Sequence, residues 1–313
     1  MSVSTMHTDD VRELLHKVAG FDQAEGQERV KQILHRVMHD LFQIVEDFDV
    51  TPEELWRAVY YVGELGQSGE AALVAPGLGI DRYLDIRMDA EDEQAGRDGG
   101  TPRTIEGPLY VAGAPLKDGY DRMDDGTDTQ AETMILSGQV TDENGQPLPG
   151  AVVDIWHADS KGAYSYFDPS QSDYNLRRRI RTDSDGRYKV RSIIPSGYGC
   201  PPDGPTQKLL SLVGRHGQRP AHIHFFISRP GYKHLTTQIN LSDDDYTYDD
   251  FAFATRGELV RDAVRIDDPE TIRANGLEVP YKEVRFDVQL VATEDESLQT
   301  RHERPRAQEE TNS

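Results

Sequence analysis

Met134-Ile-Leu-Ser-Gly-Gln-Val140 is followed by Asp142-Glu-Asn-Gly145 and then Ala151-Val-Val-Asp-Ile-Trp156. Two apolar runs of strand length flank a turn that holds the hairpin-forming Asn-Gly pair. In the second run Ala151, Val153 and Ile155 alternate with Val152, Asp154 and Trp156, the period-two pattern of a strand with two different faces. Outward from this point, residues 179–182 and 187–192, joined through Ser184-Asp-Gly186, read as two more strands. Residues 222–228, 235–241 and 284–291 complete the set. Several short strands at this spacing predict an antiparallel β-sandwich over residues 104–292.

The first hundred residues have a different period. Val11, Leu14, Leu15 and Val18 mark one helix face, and Gly20 ends it. Val30, Ile33, Leu34, Val37, Met38, Leu41 and Val45 carry the same spacing over about four turns. Thr51, Pro52 and Glu54 form a capping-box signature ahead of Leu55, Val59, Val62 and Leu65. A weaker helix is expected near residues 80–90, and a polar, Gly-rich loop over 91–103. The fold expected is mainly β with a helical N-terminal part: a helical region over 1–103, the sandwich over 104–292, and a charged, disordered tail over 293–313.

The chain has 313 residues, enough for a core of its own. Its 56 acidic and 34 basic residues leave a net charge of −22, which speaks against nucleic acid as a partner. No apolar run approaches the ~20 residues of a membrane span. No signal pattern opens the chain, so a cytoplasmic protein is expected. Cys200, the single cysteine, excludes an internal disulfide and a cysteine-based zinc cluster.

On a strand, His222 and His224 point to one face, which suits two ligands of one metal. Structural histidines would fit the same pair. His157 admits the same two readings. Tyr164, in Gly162-Ala-Tyr-Ser-Tyr-Phe167, and Tyr198, in Pro195-Ser-Gly-Tyr-Gly-Cys-Pro-Pro202, compete with ordinary β packing. Tyr198 is the less ordinary, since it sits between two glycines in a Pro-rich loop.

Ile155-Trp-His-Ala-Asp-Ser-Lys-Gly-Ala-Tyr-Ser-Tyr-Phe-Asp168 resembles the signature of intradiol ring-cleaving dioxygenases. So do Asn175-Leu-Arg-Arg-Arg179, Gly197-Tyr-Gly-Cys-Pro-Pro-Asp-Gly-Pro-Thr-Gln207, Gly214-Arg-His-Gly-Gln-Arg-Pro-Ala-His-Ile-His-Phe-Phe226 and Leu235-Thr-Thr-Gln-Ile-Asn240. The helical part and Thr104-Ile-Glu-Gly-Pro-Leu-Tyr-Val-Ala-Gly-Ala-Pro115 are similar to the branch acting on catechol.

The resemblance implies one non-haem Fe(III) per chain, with Tyr164, Tyr198, His222 and His224 as ligands. It implies cleavage of catechol by O2 to cis,cis-muconate, with Tyr198 displaced as substrate binds. Arg219 would stabilise charge near the ring, and Gln238 would help orient the site. Leu73, Pro76, Ile105, Pro108, Leu109, Phe251 and Ala252 would line the substrate slot together with Arg219. The family precedent is a homodimer through the N-terminal helices, with lipid at the interface. Chlorocatechol and hydroxyquinol are the alternative substrates. The opening of the sandwich, Leu136 to Val153, also resembles transthyretin-like binding modules, which would give no reason for the two histidines and two tyrosines together.

Overall fold

Helices with a 3.6-residue period open this chain, and alternating strands follow them. The computed structural model describes residues 4–299. Two compact units result, Met1–Gly69 and Glu70–Ser313.

The first unit holds α1 (Asp9–Val18), α2 (Glu28–Asp47) and α3 (Pro52–Ser68). Helix α1 starts where the Thr8 side chain accepts from the Val11 N–H. The capping box of α3 is complete: Glu54 N–H donates to Thr51 Oγ1, and Thr51 N–H donates to the Glu54 carboxylate. The Glu46 carboxylate accepts from Ser4 Oγ and from the amides of Thr5 and Met6, which fastens the start of the chain to α2.

In the second unit, α4 (Ala71–Gly77) and α5 (Ile80–Gln94) precede the sandwich. Helix α5 runs into the stretch expected as a loop, and α4 has no counterpart in the sequence reading. One sheet contains β1 (Leu116–Asp118), β4 (Val152–His157), β5 (Arg177–Arg181), β9 (His222–Ser228), β10 (Leu235–Leu241) and β11 (Val260–Arg261). The other contains β2 (Tyr120–Arg122), β3 (Thr133–Thr141), β6 (Arg187–Ile193), β12 (Val264–Ile266) and β13 (Tyr281–Arg285), and β14 (Val288–Gln289) also pairs with β3. A two-stranded ladder joins β7 (Tyr198–Gly199) to β8 (Gln218–Arg219). Helices α6 (Pro205–Leu212), α7 (Pro269–Ala274) and α8 (Glu296–Gln299) lie in connections and at the end.

The central pairs β4–β5, β4–β9, β9–β10 and β3–β6 are antiparallel. β1, β2, β11, β13 and β14 each pair parallel to a neighbour, so the sheets are mixed. These are short strands reached by long connections rather than hairpins, and a parallel neighbour needs such a crossover. The run expected as one strand over 284–291 is two pieces. Phe286 C=O accepts from the Tyr188 hydroxyl (2.6 Å), and Asp287 Oδ1 accepts from the Gln139 amide (3.0 Å), so the ladder breaks between them.

The inner faces of the two sheets form one core. Leu136, Val140, Tyr188, Val190 and Val284 meet Val153, Ile155, Ile223, Phe225, Ile227 and Ile239. Alternation then decides where the chemistry lies. Ile223 and Phe225 point into the core, so His222, His224 and Phe226 point to the opposite face of the same sheet.

No helix among the described residues is long and apolar enough to cross a membrane. Of the tail expected to be disordered, Glu296–Gln299 forms a helical turn, and residues 300–313 lie outside the described residues.

Candidate active site

The outer face of β4, β9 and β10 supplies the floor. His224 stands opposite Trp156 on one side and Gln238 on the other, and His222 stands opposite Asn240. The Trp156 indole stacks on the His224 ring at 4.8 Å and 6°. The two histidine rings lie 4.7 Å apart and nearly perpendicular. Both are almost fully buried, at 1% and 2% exposure, so a surface role is excluded.

Loops bring the tyrosines over this floor. Asp159 Oδ1 accepts from the amides of Lys161 and Ala163 and folds the turn that presents Tyr164. Gly162 in that turn has φ +84°, and a Cβ there would lie 2.7 Å from Tyr198 Cβ. Glycine therefore lets the two tyrosine-bearing loops touch. The Tyr164 and Tyr198 rings meet edge to face at 5.6 Å, and Tyr198 lies 5.5 Å from His222. Tyr164 Oη and His222 Nε2 are 3.5 Å apart, the outer limit of a hydrogen bond.

The electrostatics of this group would suit a bound cation. Burial pushes His222 down to about 3 and His224 well below the ordinary histidine value, and nearby Arg219 adds to both shifts. Both rings are therefore neutral and have a nitrogen lone pair to offer. His222 Nδ1–H donates to Pro220 C=O at 2.6 Å, which leaves the Nε2 lone pair facing the tyrosines. Burial, then the neighbouring Tyr198, holds Tyr164 well above the ordinary tyrosine value. A positive ion beside such a phenol reverses that preference.

Arg219 completes the site from β8. Its guanidinium donates to both oxygens of Asp250 (3.2 and 3.1 Å) and to Gln238 Oε1 (2.9 Å). Gln238 in turn donates to Asn240 Oδ1. Burial opposes the Asp250 charge, but Arg219 outweighs it and keeps the carboxyl below its ordinary value. A Cβ on Gly107 would lie 3.7 Å from His224 Nε2 and 4.0 Å from an Arg219 terminal nitrogen, so the backbone at Gly107 roofs both.

The residues expected to line the slot fall in several places. Ile105, Phe251 and Ala252 belong to one buried cluster with Cys200, Leu210 and Ala254. Leu109 packs on the cluster of Tyr110, Trp156, Tyr164 and Phe226. Pro108 links Gly107 to Leu109. Leu73 and Pro76 lie on α4, whose last residue, Gly77, meets the Phe251 ring.

His157 does not join them. Its Nδ1 pairs with Ala158 C=O and its Nε2 with Ser192 Oγ, so both nitrogens are committed to structure. Asp250, Trp156, Asp159 and Arg177 are the supporting residues the sequence reading left out. Arg177 is fully buried, is anchored on Ser165, and lies 5.7 Å over the Tyr164 ring. Trp156 and Arg177 stood inside the quoted motifs. Asp250 was one acid among many, and its adjacency to Phe251 was the available signal.

A family profile described as dioxygenase matches residues 105–292, and one described as catechol dioxygenase N terminus matches 27–96. A catechol 1,2-dioxygenase of Pseudomonas sp. is 55% identical over 96% of this chain and 100% of its own length. The chain belongs to the intradiol dioxygenase family. A second member, the catechol 1,2-dioxygenase of Acinetobacter baylyi, is 56% identical over 93% of this chain and 94% of its own. The crystal structure of catechol 1,2-dioxygenase from Pseudomonas arvilla superposes with a TM-score of 0.94 at 54% identity, covering 97% of this chain and 99% of that one. Members named for other substrates are more distant. A hydroxyquinol 1,2-dioxygenase of Rhizobium is 33% identical over 79% of this chain and 84% of its own, and a chlorocatechol 1,2-dioxygenase of Rhodococcus opacus 35% over 73% and 89%. Family membership sets aside the non-catalytic binding module.

Proposed function

We propose that this chain is a catechol 1,2-dioxygenase, which cleaves catechol with O2 between its two hydroxyl-bearing carbons to give cis,cis-muconate. The observation that carries the reading is the convergence of two phenols and two neutral imidazoles in one buried site beside a carboxylate-paired arginine. Tyr164, Tyr198, His222 and His224 would hold one ferric ion per chain. The donor set fits it: imidazole suits iron, and two phenolates favour the ferric state by their charge. Bound there, the ion supplies Lewis acidity that keeps phenols ionised and withdraws electron density from a catecholate ring.

The side chains do the rest. Tyr198, half-buried on its short ladder, is the phenol able to swing aside and take a catechol hydroxyl proton at Oη. Arg219 places a fixed positive charge where negative charge develops on the opening ring, and Gln238 and Asp250 hold it there. Leu73, Pro76, Ile105, Pro108, Leu109, Phe251 and Ala252 offer a flat apolar slot that excludes water and suits an unsubstituted ring. Identity of 55% and 56% to two catechol enzymes, against 33–35% to the hydroxyquinol and chlorocatechol enzymes, supports catechol over those alternatives.

We assign the N-terminal helices to a homodimer contact with lipid between the subunits, in a cytoplasmic enzyme. Exposed Ile33, Val37, Leu41 and Ile44 on α2 support the contact, since an apolar stripe of this length calls for cover. Leu41→Glu should shift sedimentation from dimer to monomer, and an organic extract of the purified protein should contain lipid. For the reaction, the test is the product from catechol. Muconate with both atoms of one O2 and no added reductant supports the reading. A yellow semialdehyde, or a need for ferrous iron, overturns it.

A further inference from the structure

Two segments carry the distal walls of the slot, and they are far apart in sequence. Helix α4 carries Leu73 and Pro76 and ends at Gly77; the segment after Asp250 carries Phe251 and Ala252. They meet where Gly77 faces the Phe251 ring. A Cβ on Gly77 would lie 3.1 Å from that ring, so a larger residue there presses on Phe251 and makes it give way.

One side chain spans this meeting point. Arg215 donates from one terminal nitrogen to Gly77 C=O at 2.6 Å and from the other to Phe251 C=O at 2.9 Å. Its guanidinium also lies 4.5 Å over the Phe253 ring. A guanidinium is a planar, rigid fork, so two carbonyls held by its two ends are held at a fixed separation. A lysine ammonium at the same place is a point donor on a flexible stem and cannot set that separation. The Phe251 segment is held a second time through Asp250, which pairs with Arg219, four residues beyond Arg215 in the chain. Arg219 thus fixes the end of the segment facing the reacting ring, and Arg215 fixes the end facing α4.

We propose that Arg215 is a specificity-determining positioning residue: it ties α4 to the Phe251 segment and so sets the width of the slot for catechols with small or no ring substituents. The proposal rests on the slot reading given above.

Arg215→Lys and Gly77→Ala test it from two directions, the first by removing the fork and the second by wedging the gap with Arg215 in place. Iron content should hold in both. In Arg215→Lys the KM for catechol and its anaerobic Kd, read from the visible spectrum, should rise about fivefold, with a smaller loss in kcat. The preference for catechol over a catechol bearing a bulky alkyl group, as a ratio of kcat/KM, should fall about tenfold in both variants. A purely structural role would lower kcat/KM equally for the two substrates. Preference unmoved within about twofold in both variants, in a wild type active on catechol, overturns the proposal alone. A wild type that leaves catechol intact overturns the slot reading and the proposal with it.

Discussion

Tyr198 and Arg219 are backbone partners, directly opposite each other in the antiparallel ladder of β7 and β8. The phenol proposed to be displaceable and the guanidinium proposed to face the substrate ring are therefore positioned by one pair of strands. Gly197 explains why this ladder sits so close to β9. A Cβ there would lie 2.6 Å from Arg219 C=O and 2.7 Å from Asp244 Oδ2, whose carboxylate accepts from the Ala221 amide at 2.9 Å. The Tyr198 loop, Arg219 and the start of the histidine strand are pinned at one point, so a change in any one of them moves the others.

The histidines are the first test of the proposed metal centre. His222→Ala and His224→Ala should each lose iron, activity and the visible charge-transfer colour while keeping wild-type circular dichroism. The inner-face core of Leu136, Val190, Ile223 and Phe225 contains neither histidine, so the sandwich does not depend on them. Normal iron content and turnover in either variant would show that the pair is only a buried structural element.

Asp250→Asn tests the hold on Arg219. The arginine is buried at 3% exposure, and loss of its only ion-pair partner among the described residues leaves a buried charge held only by neutral acceptors such as Gln238 Oε1. Breaking such a pair costs about 3–5 kcal/mol. Urea unfolding should show a loss of that order, and kcat should fall more than tenfold, because the guanidinium is no longer aimed. Iron content should stay near one per chain, since none of the four proposed ligands touches Asp250 through a hydrogen bond.

The sandwich and the two histidines were legible in the sequence because alternation is a local signal. Val153 and Ile155 against Asp154 and Trp156, or Ile223 and Phe225 against His222 and His224, declare a face without knowledge of the partner strand. What reads poorly is whatever depends on a distant partner. Strand β7 has two residues, and its pairing with β8 joins Tyr198 to Arg219, 219 − 198 = 21 positions further along the sequence. Helix α4 is seven residues long with Pro76 inside it, too short to show a period. Tyr198 stands out by its flanking glycines in a Pro-rich loop, but only the resemblance makes it and Tyr164 ligands, since no periodicity distinguishes Tyr164 from a packing residue. Asp250 could not be picked from 56 acids, because only the fold puts it against Arg219.

Asp85 gives the stability a pH dependence of known sign. It is buried on α5, facing Arg82 and Asp89 of its own helix and Arg103 and Arg256 from the sandwich side; Asp89 is already paired with Arg103 and Arg256. Burial raises its pKa to about 6 against the partial relief of those arginines. A carboxyl raised on folding contributes stability below its unfolded value, near 4, and loses it as pH rises through 6. Asp85→Asn removes that titration. Each tenfold change in proton affinity on folding is worth about 1.4 kcal/mol, so the variant should gain about 2–3 kcal/mol relative to wild type between pH 4 and pH 7. Urea unfolding of both proteins at the two pH values measures it, and a difference independent of pH would show that folding leaves the proton affinity of Asp85 unchanged.

The last prediction concerns Tyr198 and where the ring is cut. Extradiol enzymes hold iron with two histidines and a carboxylate. Here His222 and His224 are joined by phenols, and among the described residues no group of three histidine, cysteine or carboxylate side chains is placed to hold a metal. The two phenols have unequal settings. Tyr164 is buried, with Arg177 over its ring, whereas Tyr198 is half-buried and carried by a two-residue strand. The freer phenol is the one that can leave its place and accept a substrate proton. Tyr198→Phe should therefore still bind catechol under anaerobic conditions but turn over at least tenfold more slowly, as expected when a proton acceptor is lost. Tyr164→Phe should instead lose iron outright. In wild type the bond between the two hydroxyl-bearing carbons should break, giving muconate, which absorbs in the ultraviolet. Equal effects of the two substitutions on iron content would contradict the division of labour between Tyr164 and Tyr198, and a yellow semialdehyde product would contradict the phenol-bearing centre itself.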